Sequence, residues 1–298
     1  MYARSSTRPG GNLKTKGPGF LFNANFSVIG FEHRTAPKRA YFIHFEPDFP
    51  MIRIIPKEQQ GQGAFNGGEI VENKPIGFPQ DRSSVRPYSN LFYWAHARAT
   101  RDSTIGLHPH QGFEICSFVL KGDVRHYDTK LKEWRPLSAG DVQIIRAGNG
   151  ISHSEWMGED AEMFQIWFDP SLEATLSKPA SYDDYRSADF PVKQVGDATL
   201  KTLVGPDSPF HMDTPGVEVF QVELKQGSFR MNAVPGKIYS AYLLEGAVEF
   251  NGEAAGQFDF VLLTDQEEIV MDAPQGARVF VIASPVEPGY RTYGQLRA

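Results

Sequence analysis

Short apolar runs alternate with polar turn residues along most of this chain. From Asn90 onward the runs include EICSFVL, VQIIR, MFQIWF, VFQVEL, AYLLEG and VFVIAS, each followed closely by Gly, Asp, Asn or Pro. Strand-length runs with this punctuation predict an all-β fold, either a sandwich or a barrel. Helices are expected to be minor, and the best candidate is SLEATLS from Ser171, between two β-rich blocks.

The strand pattern occurs twice. HPHQGFEICSFVLKGDVRH from His108 aligns without gaps with NAVPGKIYSAYLLEGAVEF from Asn232. After a turn of different length, AGDVQIIRAGNGISHSE from Ala139 aligns with AGQFDFVLLTDQEEIVM from Ala255. Because apolar and turn positions recur together, the sequence predicts two copies of one β-domain.

The first fifty residues differ from the rest. MYARSSTRPGGNLKTKGPG is polar, glycine-rich and without periodicity, which predicts a partly disordered N-terminal extension over 1–50. MIRIIPKEQQ from Met51 resembles the start of a folded domain. We therefore place the N-terminal domain at 51–185 and the C-terminal domain at 186–298.

Charge and cysteine content restrict the function. The net charge of -6 does not favour direct nucleic-acid binding. No run approaches the ~20 apolar residues of a membrane span, and the N-terminal region lacks the apolar core of a secretory signal, so we expect a cytoplasmic protein. Cys116 is the only cysteine, which excludes intrachain disulfides and cysteine-based zinc sites. A metal would need histidine and carboxylate ligands.

Two histidine motifs provide such ligands. Side chains two residues apart on a strand point to one face, so His108 and His110 are expected to enter the same cavity. His153 and Glu155 have the same spacing on a later strand. Three imidazoles and one carboxylate suit a divalent transition metal such as iron, nickel, copper, zinc or manganese.

The second copy of the repeat is an internal control for this set. The positions aligned with the four predicted ligands carry Asn232, Val234, Ile269 and Met271. All four ligands are absent together while the apolar and turn positions remain. We therefore predict one metal site, in the N-terminal domain.

Glu114 has the same parity as the histidine pair that precedes it. On an uninterrupted strand it would enter the pocket, either to orient an imidazole or to accept a proton. The alternative is a strand carboxylate held in a salt bridge. Both interpretations stay open at this point.

The motifs HPHQGFE, GDVQIIRAGNGISHSE and FQIWFDP resemble the pirin family of the cupin superfamily, over roughly Asn90 to Ala298. The resemblance implies a bicupin: two tandem double-stranded β-helix (jelly-roll) barrels, of which the first holds one metal, typically Fe(II), and the second none. The family motif falls on the four ligands predicted above, His108, His110, His153 and Glu155. Gln111 departs from the Arg or Lys of many members, which removes a cation near the cavity mouth.

The resemblance implies two functions. Some pirins have quercetin 2,3-dioxygenase activity, which would make a flavonol or similar enol and dioxygen the substrates, with Glu155 or Glu114 accepting the hydroxyl proton. Others are metal-dependent regulators of transcription or of metabolic enzymes, which would make a protein the partner. A cupin with an incidental metal is the third hypothesis.

Overall fold

The computed structural model describes residues 51–78 and 81–297, and the extension predicted over 1–50 lies outside them. Strands dominate. The helices in these ranges are short: α1 (Leu172–Thr175) lies in the segment predicted to be helical, and α2 (Tyr293–Arg297) is near the C-terminus. Within the described ranges, no helix has the length and apolar character needed to cross a membrane.

The strands of the described residues fall into two groups along the chain. The first group is β1 (Met51–Ile55), β2 (Gly61–Phe65), β3 (Ile70–Ile76), β4 (Leu91–Ala99), β5 (Ser103–His110), β6 (Glu114–Lys121), β7 (Asp123–Asp128), β8 (Trp134–Ser138), β9 (Val142–Arg146), β10 (Ile151–Met157), β11 (Glu162–Phe168) and β12 (Ser181–Tyr185). The second group is β13 (Val192–Val195), β14 (Ala198–Val204), β15 (Glu218–Leu224), β16 (Gly227–Asn232), β17 (Lys237–Gly246), β18 (Val248–Phe250), β19 (Glu253–Ala255), β20 (Phe260–Thr264), β21 (Glu268–Ala273) and β22 (Ala277–Pro285).

The two groups form two barrels with the same strand order, except that β1 of the first group joins the second barrel. The first barrel joins a seven-stranded sheet, β12-β9-β6-β11-β4-β3-β2, to a four-stranded sheet, β5-β10-β7-β8. The second joins β1-β20-β17-β22-β15-β14-β13 to β16-β21-β18-β19. This correspondence confirms the predicted fold class of two tandem cupin barrels.

Matched glycines mark the repeat in the backbone. Gly122 and Gly246, aligned in the sequence, follow or end the equivalent strands β6 and β17 with φ of 70° and 84°. A Cβ at Gly246 would meet the carbonyl oxygen of Gly276, so a larger residue would collide with backbone there. These turns therefore require glycine, because their backbone conformation disfavours other residues and because a Cβ at Gly246 has no room.

One pairing was not predicted by the repeat. β1 pairs antiparallel with β20 of the second barrel, whereas β12 pairs with β9 of the first. The strand that precedes the first barrel thus completes the large sheet of the second, whereas β12, which lies between the barrels in the sequence, completes the large sheet of the first. The domain bounds 51–185 and 186–298 stay a prediction, and β1 lies within the first of them while pairing in the second barrel.

The two large sheets pack against each other through aromatic side chains. The ring of Trp94 stacks on Tyr242 with centroids 6.0 Å apart, and Phe164 meets Phe280 at 4.9 Å. All four are fully buried. Burial of each such side chain contributes about 1.5–3 kcal/mol, so this contact fixes the barrels against each other.

The interiors of the two barrels differ in chemistry. In the second, Ile269 and Met271 occupy the repeat positions of His153 and Glu155, and both are buried in an apolar cluster with Phe229 and Phe250. In the first, the equivalent space holds polar side chains. The first barrel is therefore the one that can carry chemistry.

Asp169 links the C-terminal segment to the first barrel. Its Oδ2 accepts a hydrogen bond from the backbone N–H of Tyr293, and its carbonyl oxygen accepts one from the Tyr290 hydroxyl at 2.5 Å. Burial raises the pKa of Asp169 from its ordinary 3.8 to about 7, although the backbone N–H groups of Tyr293 and Gly294 oppose this shift.

Asp169→Asn is expected to remove a pH dependence of stability. Because the folded-state pKa lies above the unfolded value, the neutral carboxyl stabilises the folded state fully below about pH 4, and this contribution is lost as the pH rises to about 7. The loss has a limiting slope of about 1.4 kcal/mol per pH unit. Urea unfolding of both proteins from acid to neutral pH measures it: wild-type stability relative to the variant should fall with rising pH, and a constant difference would contradict the assignment.

Candidate metal centre

Two strands of the small sheet in the first barrel bring three histidines together. β5 and β10 pair antiparallel, with His108 directly opposite His153. His110 is two residues further along β5, opposite Ile151. The spacing that predicted a common cavity for these histidines is thus realised by one strand pair.

A β-bulge in β5 orients the His108 side chain. His153 pairs with His108, but Glu155 pairs with Ile105, so β5 carries one extra residue at this point. The bulge leaves Leu107 58% exposed. A bulge next to a site commonly redirects a side chain. Here the carbonyl oxygen of Gly106 in the bulge accepts a hydrogen bond from His108 Nδ1 at 2.7 Å.

The three imidazoles converge on their Nε2 atoms. His153 Nε2 lies 2.9 Å from His110 Nε2 and 2.9 Å from His108 Nε2. Because a carbonyl can only accept, His108 carries its proton on Nδ1, which leaves the Nε2 lone pair directed at the other two rings. His153 is fully buried, His110 is 9% exposed, and His108 is partly exposed.

Burial keeps the three rings neutral. Loss of solvent lowers the pKa of His108, and it lowers that of His110 to about 3 with a further contribution from the charge of His108. The pKa of His153 is lowered well below its ordinary value by burial and then by the neighbouring histidines. Neutral imidazole is the form that binds metals.

The geometry fits a divalent transition metal. The ligand atoms of His108, His110 and His153 all lie within 4.8 Å of one another. An ion about 2.1 Å from each of two imidazole nitrogens at a right angle separates them by about 3 Å, close to the spacing observed between the Nε2 atoms. The close approach of the three Nε2 atoms is the arrangement that such an ion requires.

Glu155, the fourth predicted ligand, is buried beside this cluster but is not a member of it. Its Oε1 accepts hydrogen bonds from Ser117 Oγ at 3.0 Å and Gln143 Nε2 at 3.3 Å, and its Oε2 accepts one from Gln165 Nε2 at 2.5 Å. Burial raises the pKa of Glu155 to about 7, against the lowering effect of the hydrogen bonds from Ser117 and Gln165.

Glu114 lies on the face of its strand that points away from the three imidazoles. Its carboxylate accepts hydrogen bonds from the backbone N–H groups of Asp213 at 2.6 Å and Thr214 at 2.8 Å, and Arg146 Nε lies 3.8 Å away. It makes no hydrogen bond to the three imidazoles, which are all within the described ranges. The interpretation of Glu114 as a strand carboxylate in an ion pair is the one that matches this placement.

Glu114 does not share a strand with the histidine pair because the chain leaves β5 before it reaches Glu114. β5 ends at His110 and β6 begins at Glu114, in a different sheet, with Gly112 at φ 82° between them. Along β6, Ser117 contacts Glu155, whereas Cys116 packs in the core between the barrels on the same face as Glu114.

His126 is a hydrogen-bonded histidine beside the cluster. Its Nε2 lies 2.7 Å from the Asp128 carboxylate, and both side chains are fully buried. Its ring centroid is 5.7 Å from that of His153, and Tyr182 stacks on its other side at 4.4 Å. His126 lies outside the three-histidine cluster.

Two residues that contact the predicted ligands were not identified from the sequence. Gln165 and Trp167 lie on β11, and their side chains reach Glu155 and His110 respectively. Their strand neighbours Phe164 and Ile166 face the other barrel. The sequence signal that could have identified Gln165 was a glutamine at an inward-facing position of an otherwise apolar strand, MFQIWF.

The fold and site together define a bicupin with one histidine-rich centre in the described residues, and sequence similarity identifies its family. The Pirin family profile matches residues 72–168. A pirin-like protein of Caulobacter vibrioides is 30% identical over 207 residues, which cover 65% of this chain and 85% of that protein. Pirin-1 of Arabidopsis thaliana is 32% identical over 145 residues, 47% of this chain and 50% of that protein. The chain belongs to the pirin family of the cupin superfamily.

Solved structures have the same fold. The bacterial pirin YhhW of Escherichia coli, in complex with nickel(II), superposes with a TM-score of 0.66 at 22% identity and covers 79% of this chain and 99% of its own. A quercetin 2,3-dioxygenase from Acinetobacter baumannii gives 0.67 at 22% identity, over 78% of this chain and 79% of its own. At this identity the similarity concerns the fold alone.

Proposed function

We propose that this protein is a mononuclear non-heme dioxygenase of the quercetin 2,3-dioxygenase type. The observation that carries the proposal is the convergence of three neutral Nε2 atoms in the first barrel. His108, His110 and His153 hold the metal, and Glu155, which lies outside the three-histidine cluster in the structure, is its proposed fourth ligand. Fe(II) is the expected metal, with nickel, copper, zinc and manganese as alternatives of similar ligand preference.

When bound, the metal would supply a Lewis acid, and a redox-active ion such as Fe(II) would also be able to carry an electron between an enolate and dioxygen. The protein supplies the rest. The bulge carbonyl of Gly106 keeps the His108 Nε2 unprotonated, and burial of His153 keeps water away from the inner side of the centre. Nickel in the related YhhW supports a divalent ion at a centre of this kind.

A planar aromatic enol, such as a flavonol, is the proposed substrate. Trp167 is partly exposed and stands edge-on to His110, with ring centroids 4.7 Å apart. Phe113 and Phe92 are buried behind it, with ring centroids 5.9 Å and 6.4 Å from that of Trp167. Aromatic surface next to a metal centre suits an aromatic ligand that must also reach the metal.

Glu155 is the proposed proton acceptor for the substrate hydroxyl. It has two oxygens, so one can bind the metal while the other takes the proton. Glu114 has no part in this proposal because its carboxylate is committed to the backbone of Asp213 and Thr214.

Anaerobic loading followed by oxygen tests the activity. Protein reconstituted with Fe(II) is mixed with quercetin without oxygen and then exposed to a known amount of dioxygen, and carbon monoxide and the depside product are quantified. We expect one carbon monoxide released per dioxygen consumed, because both atoms of dioxygen enter the depside while C3 of the flavonol leaves as carbon monoxide with its own hydroxyl oxygen. Oxygen uptake without carbon monoxide, or no uptake with any of the five metals, would count against the dioxygenase. Stoichiometric metal without turnover would favour the regulatory alternative, in which a protein partner reads the metal state.

A further inference from the structure

The Glu155 carboxylate is held at both oxygens by side chains that have no other role in the proposed function. Ser117 and Gln143 share Oε1, and they are also bonded to each other at 2.9 Å. Among the described residues, Gln165 alone donates to Oε2, at 2.5 Å. Gln165 is 9% exposed, so no abundant solvent replaces this donor. The position of Oε2 therefore depends on where the Gln165 amide points.

Trp167 fixes the direction of that amide. The Trp167 Nε1–H donates to Gln165 Oε1 at 3.2 Å. An indole nitrogen can only donate, so it selects the carbonyl side of the amide and turns the NH₂ side towards Glu155. The carboxylate and the indole therefore favour the same orientation of the amide, and loss of the indole N–H removes one of the two groups that fix it. The Trp167 indole thus helps to set which side of the Gln165 amide faces Glu155, although the indole itself does not contact the Glu155 carboxylate.

The same indole contacts the histidine cluster. Its ring stands at 90° to His110 with centroids 4.7 Å apart. One side chain therefore contacts His110 directly and reaches Glu155 through Gln165. Fixing the relative positions of ligands on two different strands is what groups outside the coordination sphere do at metal sites, where their loss typically costs about 10–100-fold in affinity.

We propose that Gln165 and Trp167 are positioning residues that hold the Glu155 carboxylate and the His110 imidazole in register for a metal. This inference rests on the metal centre of the proposed function. The competing explanation is plain packing, since Trp167 also contacts Phe78 at 5.3 Å and Tyr93 at 5.4 Å. Phenylalanine at 167 retains an aromatic ring for packing and removes the N–H, which separates the two explanations.

The test uses the full-length protein and cobalt(II) as the probe, because its visible absorption reports the coordination around the ion. We expect Gln165→Leu to weaken cobalt binding by about 10–100-fold and to change the cobalt spectrum. Trp167→Phe is expected to weaken binding less, by about 3–10-fold, with a spectral change in the same direction. Affinity is measured by competition with a chelator and needs no enzyme activity.

Two matched variants control for loss of a buried amide or an indole elsewhere. Gln60 is 3% exposed and donates to the carbonyl oxygens of Ile55 and Phe258, so Gln60→Leu removes a buried amide away from the histidines. Trp134 is 45% exposed on β8. Gln60→Leu and Trp134→Phe should keep wild-type cobalt affinity and spectrum.

The possible outcomes distinguish the positioning role of Gln165 and Trp167 from the metal centre on which that role rests. Wild-type affinity and spectrum in both Gln165→Leu and Trp167→Phe, with wild-type protein binding one cobalt, overturns the positioning role and leaves the metal centre intact. Equal weakening in the Gln60→Leu control also overturns it. No cobalt binding by the wild-type protein overturns both. If Gln165→Leu does not fold, Trp167→Phe alone decides.

Discussion

Replacing His153 with alanine is expected to abolish metal binding, from about one ion per chain to none. His153 is the central member of the cluster, because its Nε2 is 2.9 Å from the Nε2 of each of the other two histidines. The remaining pair would bind a divalent ion far more weakly, since each lost ligand of a site with this geometry removes several kcal/mol. Elemental analysis after dialysis against a fixed free metal concentration measures the effect.

The matched control is His211→Ala, an exposed histidine for which no side-chain hydrogen bond is found among the described residues. It should retain the wild-type metal content. Circular dichroism and thermal unfolding check that the buried site in the His153 variant has not collapsed, and His153→Asn provides a smaller change of volume. Retention of one bound ion in both His153 variants would place the metal elsewhere.

Glu155→Gln is expected to reduce dioxygen uptake by about 100-fold or more while the three imidazoles still bind metal. An amide has nearly the shape of the carboxylate but cannot accept the substrate proton as a base. Its NH₂ group would also face one of the donors that now serve the carboxylate, Ser117, Gln143 or Gln165. We therefore expect metal affinity to fall by about 10-fold as well.

Oxygen-electrode rates are to be compared at saturating metal, so that weakened binding is not mistaken for lost chemistry. Glu114→Gln is the contrasting variant. The Glu114 carboxylate holds the loop at Asp213 and Thr214, so Glu114→Gln should lower stability but leave the rate per bound metal unchanged. A Glu155→Gln protein with wild-type turnover would exclude Glu155 as the base.

The fold class and the histidine cluster were predictable because the chain repeats itself. A scaffold that recurs with its ligand positions changed separates residues needed for folding from residues needed for chemistry. Ile269 and Met271 in the apolar interior of the second barrel are the structural form of that contrast. Parity along a strand was enough to place His108 and His110 on one face because β5 is continuous between them.

Parity failed where the backbone is irregular. Glu114 was aligned with His110 by counting residues, but the turn at Gly112 moves the chain into another sheet. The bulge near Leu107 is equally invisible in the sequence, since it depends on the register between β5 and β10. Both features arise from pairing between distant segments, which local spacing does not encode.

The support around Glu155 depends on tertiary contacts in the same way. Ser117, Gln143 and Gln165 come from three different strands of the large sheet, β6, β9 and β11. Each is a single polar residue in an apolar run, and a single residue does not identify its partner. The pairing of β1 with β20 has the same origin, because edge strands are exchanged between barrels of nearly identical pattern.

Anomalous X-ray diffraction from crystals grown with the bound metal tests the central claim most directly. Data collected on both sides of the absorption edge of that metal locate the ion and identify the element in one experiment. We predict one peak in the first barrel, within bonding distance of Nε2 of His108, His110 and His153, and none in the second. A peak elsewhere, or no peak in protein saturated with metal, would contradict a metal centre built on these three histidines.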